Sequence, residues 1–69
     1  MVIVVYVNPA DHPGKVVVRR FAGEVPEPQP LVVADSYLRA MIDTADARRG
    51  LVRFNRAEDD DRCIKEVWL

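Results

Sequence analysis

The residues of this chain that could do chemistry are few, and their spacing matches no familiar catalytic or metal-binding frame. His12 is its one histidine and Cys63 its one cysteine. A catalytic histidine needs a partner that sets its tautomer, and a thiol nucleophile needs a base within hydrogen-bond reach. Asp11 adjoins His12, but adjacent side chains usually diverge. Cys63 meets His12 only if the fold carries the loop after the first strand to the last strand. An enzyme using His12 with Asp11 or Cys63 is therefore the remotest reading, and the expectation is a non-enzymatic protein with no cofactor. A lone Cys with a lone His also leaves no structural zinc set of the usual four ligands.

Two charged clusters suggest binding. Glu58, Asp59, Asp60 and Asp61 put carboxylates side by side, and hard cations favour oxygen ligands. The alternating ligands, central glycine and distant glutamate of a calcium loop are missing, so no metal is expected. The run reads as a solvated hairpin turn, with an acidic docking patch as the second reading. Arg48, Arg49, Arg53 and Arg56 surround one helix-to-strand junction beside Phe54. There they are candidate contacts for phosphate or nucleic acid, with the ring able to stack a base. Ion pairing with Asp43, Asp46 and the acidic turn is the competing account. Arg19 and Arg20 alternate to opposite faces of a strand, so these six arginines need not form one patch. No phosphate-cradling loop, dinucleotide glycine frame or nucleophile elbow is present.

The elements that must position these residues follow from periodicity. Val2 to Val7 is an unbroken run of β-formers, as in a strand buried on both faces, and belongs at the centre of a sheet. Asn8 to Gly14 turns the chain, and Lys15 to Phe21 reads as a second, antiparallel strand. Gly23 to Pro30 carries proline at every second position from Pro26 and reads as a stiff extended connector. Leu31 to Val33 is either a helical lead-in or a short edge strand.

Leu38, Met41, Ile42 and Ala45 recur at helical spacing, with Ala34 extending the stripe backwards, and predict an amphipathic helix over 36–49. Asp35 is the expected N-cap and Gly50 the residue that ends it. Leu51 to Arg56 alternates with Val52 and Phe54 inward and Arg53 and Asn55 outward, and Arg62 to Leu69 forms a last strand. In that strand Ile64, Glu66 and Trp68 share one face and Cys63, Lys65, Val67 and Leu69 the other.

The expected fold is thus α+β: a single small domain over 1–69, ββαββ, with a four-stranded mainly antiparallel sheet and one helix on one face. At 69 residues with 49% hydrophobic and 30% charged content, the chain should fold rather than stay disordered. A chain this small hides only about 60% of its surface and keeps about 4,400 Å² exposed.

One helix covers one sheet face, yet several strands are apolar on both. A second copy of the chain is the expected cover, a dimer first, through Val4, Val17, Val67 and Trp68. A different protein partner is the alternative, as is a small regulator or mobile-element-encoded inhibitor that contacts nucleic acid or a nucleoprotein complex through the arginines or the acidic turn. The formal net charge of −1 implies no global electrostatic partner, and the apolar start is too short to span a membrane. A cytoplasmic, protein-binding module that acts by self-association is the leading expectation.

Overall fold

The computed structural model describes residues 1–56 and 62–69. Its elements run β1 (Val2–Val7), β2 (Val16–Ala22), β3 (Val25–Pro26), β4 (Val32–Ala34), α1 (Tyr37–Asp43), β5 (Arg53–Asn55) and β6 (Ile64–Trp68). The unbroken β-former run of β1 takes the centre, with β2 and β6 antiparallel on either side and Ile3, Val4 and Val5 buried. The sheet has six strands in the order β3-β2-β1-β6-β5, with β4 also paired to β2. The α+β class and the antiparallel sheet agree with the sequence reading. The four-strand count and the simple ββαββ order do not.

Of the two extra strands, β3 comes from the proline-rich segment and β4 from the stretch just after it, and the segment is no free connector. Glu27 donates its N–H to the Arg20 carbonyl (2.9 Å) and Leu31 to that of Val18 (2.7 Å), so this stretch lies along β2 as an interrupted edge. Pro26, Pro28 and Pro30 alternate with those inward-facing donors. Proline thus takes positions where an N–H would face away from the sheet, which is where an edge strand tolerates it. A bidentate pair of Arg20 with Glu27 (2.7 and 3.0 Å) clamps the segment, and the Arg20 hydrogen bond holds the Glu27 carboxyl below its ordinary pKa. Leu31 to Val33 resolves as an edge strand, with β4 beginning at Val32.

The turn between β1 and β2 closes on Asn8, whose backbone is left-handed at φ 54 and whose Oδ1 accepts the Gly14 N–H at 2.7 Å. Asparagine tolerates that conformation better than other non-glycine residues.

The helix is shorter than the periodicity predicts and is turned about its axis. Ser36, not Asp35, is the N-cap and accepts the Arg39 N–H, while Asp35 pairs with Lys15. Ala40 and Thr44 are buried and Tyr37 and Met41 half-buried, whereas Leu38 stands 70% exposed with Ile42 and Ala45 also exposed. Small Ala40 lets the backbone approach the sheet. Thr44 caps the C-terminus and returns its hydroxyl to the Ala40 carbonyl at 2.7 Å. Residues 44–50 continue as turns, and Gly50 supplies a positive φ of 82 where they end.

The core lies between this helix and one sheet face: Ile3, Val5, Val16, Val18, Ala34 and Ala40, flanked by Leu31, Tyr37, Met41, Ala47, Leu51 and Trp68. Total exposed surface is 4717 Å², somewhat above the value expected for the length.

Candidate functional site

The register assigns every strand residue to a face, because partners directly opposite in an antiparallel pair point the same way. The uncovered face carries Phe21 opposite Val2, then Arg19, Val4, Val67 and Phe54 in one row across four strands, then Val17 opposite Tyr6. Val52 and Leu69 exchange backbone hydrogen bonds (2.8 and 3.1 Å) and extend the β5–β6 pairing by one step, which sets both side chains on that face. Of the expected interface residues, Val4, Val17 and Val67 do share this surface. Trp68 does not: it sits opposite Ile3 and Arg53 on the helix side.

The apolar surface is not left over evenly. Val17 is 1% exposed and Val4 is buried too, and the β1–β2 loop comes beside Val17 through Pro9, Ala10 and Asp11. The most exposed apolar strand residues of this face gather at its β5–β6 end, where Phe54 is 51% exposed and Val52 and Leu69 are at least as open, while Val33, opposite Val17 at the other edge, is exposed to a lesser degree. Val52 and Phe54 were expected inward. α1 packs chiefly on β2 and β4, and the register of β5 turns Val52 and Phe54 to the face away from it.

At the opposite end of the face a hollow of about 390 Å³ is lined by Tyr6, Asp11, Val17, Arg19, Phe21 and Pro26, among others. Arg19 donates to Asp11 at 3.1 Å across its rim. His12 Nε2 lies 3.9 Å from Asp11 Oδ2, beyond hydrogen-bond length. The fold does bring Cys63 to this loop: Val7 N–H donates to the Cys63 carbonyl at 2.7 Å, and the thiol lies 3.6 Å from the Asn8 carbonyl.

The arginines divide their work. Arg48 stacks 4.5 Å over the Trp68 ring, donates to the Met41 carbonyl (2.6 Å) and reaches Thr44 Oγ1 (3.2 Å). It therefore caps the end of α1 against the sheet. Arg49 pairs with Asp46 at 2.9 Å in solvent. Arg53 bonds Asn55 Oδ1 at 3.3 Å and lies 3.9 Å from Glu66 Oε1. Arg56 is exposed at the end of β5. Arg48 and Arg53 thus approach the same Trp68–Glu66 pair, while Arg49 turns to the helix-side acid. The acidic run Glu58, Asp59, Asp60 and Asp61 lies outside the described residues.

Sequence reasoning missed Glu66. Its side chain is 0% exposed, on the helix face of the sheet opposite Val5, where it accepts from Tyr37 Oη (2.8 Å) and Trp68 Nε1 (2.6 Å). Burial, and then the bond to Glu66, push the Tyr37 hydroxyl above its ordinary pKa. A register shift in β6 accompanies this: Glu66 pairs with Val5 but Ile64 with Tyr6, so Lys65 bulges out and its ammonium lies 5.0 Å over the Tyr37 ring. Lys65 therefore joins Glu66 on the helix side and Ile64 joins Tyr6, contrary to simple alternation. A Glu at an inward strand position beside Trp was the available signal.

Among the described residues no three His, Cys, Asp or Glu side chains gather as a metal site needs, and no helix is long and apolar enough to cross a membrane. Comparison with family models, curated proteins and solved structures finds no match.

Proposed function

We propose that the chain is a small protein-binding module, not a catalyst, and that it self-associates through the outer end of its open sheet face. The observation that carries this reading is the concentration of exposed apolar side chains there: Val52, Phe54 and Leu69 beside half-buried Val67. Such a patch loses water-exposed apolar area when a second copy meets it, at about 25 cal/mol per Å². The polar clusters favour binding over chemistry. Asp11 is engaged by Arg19, and Arg48 serves the helix end. A cytoplasmic setting belongs to the same reading, since a single cysteine offers no intrachain disulfide.

Solution NMR over a dilution series tests the proposal. Concentration-dependent shifts at Val52, Phe54, Val67 and Leu69, with Leu38 and Ile42 unmoved, are the expected result. Shifts confined to the helix or to the Tyr6–Phe21 hollow would move the binding surface elsewhere and overturn it.

A further inference from the structure

We propose that two copies join edge to edge through β5, antiparallel, with Phe54 opposite the partner's Phe54. This rests on the self-association reading and narrows its contact to the β5 margin of the patch, where Phe54 meets its counterpart while Val67 and Leu69 lie one strand away from the seam. The hydrogen bonds exchanged by Val52 and Leu69 fix the phase of the β5–β6 ladder. Val52 and Phe54 turn their backbone groups toward β6, so the N–H and C=O of Arg53 and Asn55 face the outer edge, which no other described strand pairs.

That edge matches itself in a register centred on Phe54. Centred on Phe54, an antiparallel pair sets Arg53 against the partner's Asn55 twice, and all the outward N–H and C=O groups of both residues find partners. The rings then meet at a non-hydrogen-bonded position, where side chains approach most closely. The charges agree with this register as well. Asn55 Oδ1 already accepts the Arg53 guanidinium at 3.3 Å within one chain, and the partner's Asn55 offers the same acceptor. A register centred on Arg53 instead places like charges directly opposite.

The other edge explains why assembly stops at two. Pro26, Pro28 and Pro30 alternate with the inward donors there, which leaves that side poor in outward N–H groups for a third chain. A three-residue seam lies at the small end of protein interfaces, so the dimer dissociates on dilution.

Amide hydrogen exchange at about 10 µM and about 1 mM tests the seam. The Arg53 and Asn55 amides are expected to exchange at least about tenfold more slowly at the higher concentration. Asn55→Pro, which removes an outward N–H and no bond to β6, is expected to be monomeric with the β6 amides still protected. A dimer whose Arg53 and Asn55 amides exchange alike at both concentrations would overturn the seam but leave self-association standing. A monomer throughout would overturn both.

Discussion

The hydroxyl of Tyr37 donates to Oε1 of Glu66 at 2.8 Å and joins the first turn of the helix to a carboxylate buried in the sheet. Trp68 Nε1 holds the other oxygen at 2.6 Å. A buried carboxylate is tolerable only while its oxygens are satisfied, so this bond constrains the side of the helix that faces the core. Tyr37→Phe is expected to destabilise the protein by about 1–3 kcal/mol in urea unfolding with an unchanged m-value. A loss under about 0.5 kcal/mol would mean that Glu66 has another source of satisfaction.

Burial of the Tyr37 hydroxyl, and then the same bond, give a pH dependence. The Tyr37 hydroxyl is raised above its ordinary value of 10.0 in the folded state, so the unfolded chain releases that proton first as pH rises. Stability from this group is complete below the unfolded pKa and is lost as pH climbs from there through the folded pKa. Thermal unfolding of the wild type should therefore fall more steeply above about pH 10 than that of Tyr37→Phe. Parallel curves for the two proteins would contradict the assignment.

The helix orientation has its own test. Ala40 is fully buried and Leu38 exposed. Ala40→Leu is expected to cost about 1–3 kcal/mol through overpacking, and Leu38→Lys to change stability by less than about 0.5 kcal/mol. The reverse ranking in denaturant melts would restore the Leu38, Met41, Ile42 and Ala45 stripe as the core face.

Arg48 and Arg49 are neighbours with different tasks. Arg48→Ala removes the donor to the Met41 carbonyl and the cation over Trp68, and is expected to cost about 1–3 kcal/mol and to alter Trp68 fluorescence. Arg49→Ala breaks only an exposed ion pair with Asp46 and should cost under about 0.5 kcal/mol. Equal losses would show that the helix end is not held by Arg48.

The parts of the fold that were legible in sequence are those where one residue pattern has one solution. The β-former run of Val2 to Val7 has a central strand as its natural place, and Lys15 to Phe21 follows as its hairpin partner. The helix face was not legible, because two stripes share Met41 and lie about 100° apart, one residue's rotation. Tyr37 with Glu66 decides between them, and that pair is separated by 29 residues. Alternation along Leu51 to Arg56 was plain, but its inward side depends on how far a helix of seven residues reaches across the sheet. Proline spacing revealed an extended segment, while its role as an edge needed the carbonyls of Val18 and Arg20 beside it. Val4, Val17 and Val67 were legible as residues of one sheet face, but the burial of Val4 and Val17 in it was not. Nor was the exposed end of that face at Phe54.

Light scattering coupled to size exclusion, on wild type and Phe54→Asp across a dilution series, tests the central claim most directly. Wild type is expected to approach twice the chain mass at high concentration and to fall toward the single-chain mass on dilution. Phe54→Asp is expected to remain at single-chain mass with its circular dichroism spectrum unchanged. A wild-type protein of single-chain mass at every concentration, or a folded Phe54→Asp protein that dimerises as the wild type does, would contradict self-association through this end of the sheet.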